Sequence, residues 1–297
     1  MKGTASVLRR LVFVVSLLAF DAAGGAGAAA GSAPADSLRA AYEELHARLA
    51  DNAYGKPLHL DSREGTAELK GDIHAVVAHP FDVVQGALSD PGGWCDILLL
   101  QFNTKRCEAT GIAPPVLAIN IGRKHDQPLE KTVRVEFPFL LRPATKDYFS
   151  VVLNAPAGPY GTRDYRILLE AVPLEKGSTF IHLSYSYGFG ITAKLATHTY
   201  LATAGRAKAG FTVVGTNTDG RPQYVGGVRG MIERNTMRYY LAIETHLNSL
   251  SVPAGTRIEK RLNDWFDAIE RYPRQLHEME RDDYLAMKRR EIRRQQG

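Results

Sequence analysis

The most regular hydrophobic pattern of the chain lies over residues 229–250, in the stretch RGMIERNTMRYYLAIETHLNSL. Side chains suited to a helix interface recur there at every third or fourth position. The stripe consists of Ile232, Thr236, Tyr239, Ile243, Leu247 and Leu250. We therefore predict a long helix with one face packed on a sheet. A shorter stripe of the same kind predicts another helix over residues 37–51.

A period of two dominates the middle of the chain and predicts strands. Residues 67–77 alternate first, and a short helix over residues 81–88 follows, ended by Ser-Asp-Pro-Gly-Gly before Trp94. Further strands are predicted near residues 116–121, 133–139, 149–153, 167–171, 181–187 and 211–214. The short connections favour an antiparallel meander. One concave face of that sheet would carry Val133, Val135, Phe137, Phe139, Ile167, Leu169, Ile181, Leu183, Tyr185 and Tyr187.

Two further segments have helical patterns. One covers residues 191–203, and the other begins beyond Pro253 with a stripe made of Ile258, Leu262, Trp265, Phe266 and Ile269. The chain then ends in the strongly basic KRREIRRQQG. We expect a solvated tail there, and the alternative is contact with anionic lipid head groups at a membrane surface.

The order of these elements, together with HPFDVVQGALSDPGGW at residues 79–94, resembles the START-like or SRPBCC superfamily over about residues 66–250. The resemblance implies an α+β helix-grip fold, in which a curved antiparallel sheet grips the long C-terminal helix. It also implies a cavity for an apolar ligand between sheet and helix. Residues 36–250 would form this domain with its N-terminal helix, and residues 251–297 a charged helical appendage.

The N-terminus has the three-part layout of a secretory signal. Lys2, Arg9 and Arg10 are followed by an apolar run at residues 11–20 and then by GGAGAAAGSAPA. A permanent anchor is the alternative, but this run is shorter than the roughly 20 residues that a membrane-spanning helix needs. We predict that residues 1–30 are a signal peptide and that the protein is periplasmic or secreted.

Composition and cysteine usage fit an exported globular protein. The 297 residues are 44% hydrophobic and 23% charged, with a formal net charge of +5. Without residues 1–30, which hold Lys2, Arg9, Arg10 and Asp21, the charge is +3, too mild to indicate nucleic acid as a partner. Because an oxidising compartment favours disulfides, Cys95 and Cys107 are expected to pair, a link worth about 3 kcal/mol. Two unpaired core cysteines are the alternative.

The familiar motifs of catalysis, nucleotide binding and metal binding do not occur in the sequence. It contains no G-x-x-x-x-G-K-[ST], G-x-S-x-G or H-E-x-x-H, and the strand pattern places His74 and His79 on opposite faces. We therefore assign no catalytic residue, no metal site and no cofactor. The segment 158–162 (GPYGT) reads as a turn, with Tyr160 and Arg163 at a cavity mouth as its functional alternative.

The candidate ligand-binding residues lie on the long helix and on the strand before it. They are Tyr185, Tyr187, Asn235, Arg238, Tyr239, Ile243 and His246. For each, the alternative is a structural role in the core or in hydrogen bonds to neighbouring strands. Arg229 and Glu233, four residues apart, are expected to pair on the exposed side of the helix.

Three functions remain open at this point. The leading hypothesis is an exported carrier or binding protein whose partner is an apolar small molecule or lipid. The second is an enzyme of the cyclase, dehydratase or hydrolase kind that uses a cavity Tyr, His or Arg. The third is a non-catalytic envelope interaction protein that binds through its basic C-terminus. The oligomeric state stays open.

Overall fold

The computed structural model describes residues 32–142, 144–190 and 208–296. The signal peptide predicted at residues 1–30 and the helix predicted at 191–203 lie outside the described residues. The long helix and the helix near residues 37–51 are both confirmed. The helices in chain order are α1 (Ser32–Ala50), α2 (Phe81–Leu88), α3 (Pro91–Leu99), α4 (Gly227–Asn248), α5 (Arg257–Glu270), α6 (Pro273–Leu276) and α7 (Arg281–Gln296).

Eight of the described strands form one antiparallel sheet in the order β1-β2-β8-β7-β6-β5-β4-β3. The strands are β1 (Leu58–Glu64), β2 (Glu68–Val77), β3 (Thr104–Thr110), β4 (Val116–Ile121), β5 (Val133–Arg142), β6 (Phe149–Ala157), β7 (Thr162–Pro173) and β8 (Thr179–Phe189). The meander predicted from residue 116 onward is confirmed, whereas β1 and β3 lack a clear alternation and were not predicted. The strand expected near residues 211–214 is β9 (Val213–Thr216), which pairs with β10 (Pro222–Tyr224) in a separate hairpin.

Helix α4 packs against β1, β2 and β8, so that the sheet holds the long helix as a helix-grip fold requires. The approach is close at Gly71 of β2, where a Cβ atom would collide with Thr236 Oγ1. Nine of the ten side chains predicted on the inner face are buried. The exception is Val133, the first residue of β5, which is 42% exposed.

The sequence predicted that Ser-Asp-Pro-Gly-Gly is a turn that ends the helix over residues 81–88, and the prediction of a turn is wrong. Instead, the segment begins α3: the Asp90 carboxylate accepts hydrogen bonds from the backbone N–H groups of Gly92 and Gly93, both at 3.0 Å. An Asp cap followed by Pro at the first helical position is a strong helix start. Helix α3 carries Cys95, whose predicted disulfide with Cys107 of β3 is confirmed, with 5.2 Å between the Cα atoms.

The C-terminal helices pack on the sheet domain, and the segment expected to be a solvated tail is a helix with one face buried and its arginines exposed. The Lys105 and Lys288 ammonium groups lie 2.7 and 2.8 Å from the two oxygens of Glu291, and all three side chains are buried. Tyr284 of α7, fully buried, donates to the Leu100 carbonyl oxygen at 3.0 Å. A buried ion cluster of this kind fixes α7 against β3, because removing one partner would leave a buried charge uncompensated.

Candidate functional site

Four tyrosines meet between the inner face of the sheet and α4. Tyr185 and Tyr187 are two residues apart on β8 and therefore share a face, Tyr165 comes from β7 and Tyr239 from α4. The ring centres of Tyr185 and Tyr239 are 5.0 Å apart, and the rings of Tyr165 and Tyr187 stack at 5.2 Å. We call these four residues the tyrosine cluster.

The tyrosine cluster is desolvated without being fully closed. Burial raises the pKa of all four phenols, so the hydroxyls stay protonated at neutral pH and act as hydrogen-bond donors and acceptors. Tyr165 and Tyr239 nevertheless keep part of their surface accessible, although they pack against the core. The interface between α4 and the sheet therefore ends here in aromatic rings that carry hydroxyl groups.

The turn between β6 and β7 supports the cluster. Residues Pro159–Gly161 form a single 3-10 turn there, as the sequence predicted. Gly158 lies so close to the Tyr165 ring that a Cβ atom would collide with it. The hydroxyls of Thr162 and Tyr165 are 2.8 Å apart. Arg163 is exposed beside Asp164, and the side chain of Tyr160 is not among those described.

The other predicted ligand-binding residues of α4 divide between two places. Asn235 and Arg238 lie near the tyrosine cluster, at its flank, with Arg238 Nη1 3.4 Å from Asn235 Oδ1. Ile243 is fully buried in the core. His246 faces α3 beside Gly93, and burial together with Arg261 lowers its pKa to about 4. Because 7 residues of helix separate it from Tyr239, about 10 Å of rise, His246 does not join the cluster.

A charged group flanks the tyrosine cluster, and we call it the rim cluster: Lys124, Lys208, Arg238 and Glu278. One oxygen of Glu278 lies 2.5 Å from Arg238 Nη2 and 2.7 Å from Lys124 Nζ, and its other oxygen lies 3.3 Å from Lys208 Nζ. Burial alone would raise the pKa of Glu278, but Arg238 and Lys124 lower it to about 2. Sequence reasoning selected Arg238 and missed its partners, which lie far from it along the chain.

The predicted pair of Arg229 and Glu233 forms, with 3.9 Å between Nε and Oε1, but it does not lie on the exposed side because Glu233 is fully buried. Its carboxylate accepts hydrogen bonds from the backbone N–H groups of Phe211 and Thr212, at 2.6 and 2.9 Å. It also accepts from Ser62 Oγ at 2.5 Å. Arg229 Nε also donates to Ser62 Oγ at 2.8 Å. Glu233 thus fixes the chain that follows residue 210 onto α4.

A second polar network lies on the outer face of the sheet, and sequence reasoning missed it. His182 Nε2 is 2.8 Å from Asp72 Oδ1, and His182 Nδ1 is 3.1 Å from Glu170 Oε2. The ring of His74 stacks on that of His182 with 4.3 Å between centres. Cross-strand register creates the network, since His74 and Glu170 both stand directly opposite His182. His79 lies beyond the end of β2 and takes no part.

Among the residues that the structure describes, no group of three or more His, Cys, Asp or Glu side chains is arranged to hold a metal ion. Within the same residues, no helix is both long and apolar enough to cross a membrane.

The comparisons with known proteins concern the fold. No protein-family model and no curated protein matches the chain. Among solved structures, human StAR-related lipid transfer protein 5 matches 74% of this chain and 99% of its own, at 12% identity and a TM-score of 0.37. A norcoclaurine synthase point mutant from Thalictrum flavum in complex with a transition state analogue matches 48% of this chain and 91% of its own, at 18% identity and a TM-score of 0.34. A conserved protein from Geobacillus kaustophilus matches 61% of this chain and 95% of its own, at 10% identity and a TM-score of 0.35.

This chain has a helix-grip fold. The decisive observation is its own topology, an antiparallel sheet that holds the long helix α4. The START-like resemblance inferred from the sequence is confirmed for the fold. At these identities and TM-scores, the solved structures carry no argument about ligand or activity.

Proposed function

We propose that the protein is an exported carrier that holds an apolar small molecule of the lipid class between α4 and the inner face of the sheet. The observation that carries the proposal is the tyrosine cluster, where Tyr165 and Tyr239 remain partly accessible inside an otherwise apolar interface. Ligand pockets combine such apolar walls with a few polar groups that fix orientation. The hydroxyls and the rim cluster supply those groups.

Two features support export. Residues 1–30 have the composition of a signal peptide, and Cys95 is bonded to Cys107. Disulfides persist in the periplasm and outside cells and are rare in the cytosol. We therefore place the mature protein in the periplasm or in the medium.

Contact with a membrane surface is the third part of the proposal. Arg290, Arg293 and Arg294 of α7 line a surface depression of about 420 Å³ together with Asp126. Asp126 binds Arg290 and Arg294, which leaves an excess of positive charge in the depression. Anionic lipid head groups near a surface contribute about 1 kcal/mol per basic residue, so this face of α7 would bring the carrier to its lipid source.

The test is a binding screen with the purified mature protein. Fatty acids, phospholipids and polycyclic lipids are titrated against wild type, and co-purifying molecules are identified by mass spectrometry. Asn235→Trp should obstruct the space beside Tyr239 and reduce binding about tenfold or more. Asn263→Trp on α5 serves as the control and should bind as wild type does. If no lipid binds wild type and none co-purifies, the carrier proposal fails and an envelope interaction protein becomes the better account.

A further inference from the structure

We propose that the carried molecule bears an anionic group, a carboxylate or a phosphate monoester, and that this group binds at the rim cluster of Lys124, Lys208, Arg238 and Glu278. The inference rests on the proposed carrier function and adds the chemical class of the ligand. It predicts an amphiphile whose apolar part lies on the tyrosine cluster and whose charge lies at the edge of α4.

The charge of the rim cluster is unbalanced. Three cationic groups surround the single carboxylate of Glu278, which leaves two positive charges in excess within the cluster. Of the two acidic residues in the β4–β5 loop that carries Lys124, Asp126 is occupied by Arg290 and Arg294, and Glu130 is exposed to water. An anion that enters the cluster would therefore meet net attraction.

The cations are partly withdrawn from water, which strengthens that attraction. The side chains of Arg238 and Glu278 are only 6% and 8% exposed, whereas Lys124 and Lys208 are 44% and 27% exposed and can reorient toward a ligand. Burial and the neighbouring Arg238 lower the pKa of Lys124 to about 8. A carboxylate or phosphate would relieve this crowding of like charges, and charge-assisted hydrogen bonds are the strong ones.

The rim cluster and the tyrosine cluster are adjacent. Arg238 Nη1 lies 3.4 Å from Oδ1 of Asn235. Asn235 stands four residues before Tyr239 on α4 and therefore shares its side of the helix. A guanidinium group and an aromatic ring thus lie side by side on one stretch of α4. An acid with an apolar body could contact both.

The experiment compares matched acidic and neutral ligands on the mature protein by isothermal titration calorimetry. Oleate is paired with oleyl alcohol, a lysophosphatidic acid with monoolein, and inorganic phosphate is titrated alone. The variants are Lys124→Met, Lys208→Met and their combination, because these two side chains are the more exposed members of the cluster. Lys260→Met on α5 is the matched control, since Lys260 also pairs with a carboxylate, Asp264 at 2.7 Å.

We expect wild type and Lys260→Met to bind an acid about tenfold or more tightly than its neutral partner, and the double variant to lose that preference while it still binds the neutral ligand. Equal binding of acid and neutral partner by wild type would overturn the inference and leave the carrier proposal intact. Phosphate alone binding as tightly as the amphiphile would also overturn it, because the site would then serve a free anion. Absence of binding by every ligand would overturn the carrier proposal itself.

Discussion

The two faces of the sheet are built from the same strands and are stabilised by different interactions. Along β8, Leu183, Tyr185 and Tyr187 point inward toward α4, and His182 and Ser184 point outward. Both sets are largely withdrawn from solvent. The inner face depends on apolar burial, whereas the outer face combines apolar burial of Phe180 and Val172 beneath α1 with a polar network in which His182 bonds to Asp72 and Glu170. We therefore expect the inner face to carry most of the stability and the outer face to carry its pH dependence.

The largest expected effect tests the inner face with two adjacent leucines of β7. Leu169 is fully buried on the inner face opposite Leu183, and Leu168 is half-buried on the outer face opposite Ser184. Leu169→Ala should lower the free energy of unfolding by about 3 kcal/mol, because it removes buried methyl groups and leaves a cavity. Leu168→Ala should cost about 1 kcal/mol. Urea denaturation measures both, and equal losses would contradict the division between the faces.

The next effect concerns acid stability on the outer face. Burial and the neighbouring His182 lower the pKa of His74 from 6.5 to about 3. A lowered folded pKa contributes stability that is present above the unfolded value of 6.5 and is lost as the pH falls. His74→Gln should therefore reduce the loss of stability between about pH 7 and about pH 4.5 by roughly 2 kcal/mol.

Denaturation midpoints measured across that range check this prediction. His125→Gln is the control, because His125 lies exposed in the β4–β5 loop. The range stays above the pH at which Asp72 would protonate, since hydrogen bonds from His182 and Lys70 lower the pKa of Asp72 despite its burial. An acid profile of His74→Gln that matches wild type would show that His74 does not titrate with unfolding.

His182 should give a smaller effect of opposite sign. Burial opposes its charge, but hydrogen bonds to Asp72 and Glu170 dominate and raise its pKa above 6.5. Its contribution to stability is then fully present below pH 6.5 and is lost as the pH rises through the folded pKa. His182→Gln should thus destabilise the protein by about 1 kcal/mol more at low than at high pH. Thermal melts of wild type and His182→Gln at about pH 6 and about pH 9 measure this difference. A destabilisation that is the same at both pH values would show that His182 is not protonated in the folded protein.

Sequence reasoning predicted the inner face well because a period of two fixes which residues share a face. It did not reveal that the outer face is also buried, because alternation carries no information about what covers the polar side. The network of His74, His182 and Glu170 depends on strand register, which is set by the pairing of β2, β8 and β7. The sequence signal for this network was limited to two histidines, His74 and His182, each at an outward-facing position of a predicted strand.

The sequence predicted those residues of the candidate site that follow a local period and missed those that are brought together by long-range contacts. Helical spacing found Tyr239 and Arg238 on α4, and strand alternation found Tyr185 and Tyr187. Glu278 pairs with Arg238 across 40 residues of sequence, and no local pattern connects them. The start of α3 at Asp90 was, in contrast, legible as an Asp-Pro cap and was assigned to a turn instead. Long-range pairs escape sequence reasoning for physical reasons, whereas caps can be found with closer attention to the first helical turn.

The smallest expected effect on stability is also the sharpest test of whether the inner face has a function beyond packing. Tyr239→Phe and Tyr240→Phe remove the same atom from neighbouring residues of α4. Tyr239 lies in the tyrosine cluster, with its ring centre 5.0 Å from that of Tyr185, and the Tyr240 hydroxyl donates to Glu244 at 3.2 Å. Each substitution should cost about 1 kcal/mol or less, the net value of one hydrogen bond.

Ligand binding should separate these two variants where stability does not. If the tyrosine hydroxyls meet the ligand, Tyr239→Phe should weaken the binding of a polar-headed lipid such as oleate about fivefold or more, because a buried polar group of the ligand would lose its partner. Tyr240→Phe should leave the dissociation constant unchanged, since its hydroxyl is engaged with Glu244. Calorimetric titration of both variants beside wild type measures the difference. Equal binding by all three proteins would mean that the tyrosine hydroxyls only complete the core and that the inner face serves packing alone.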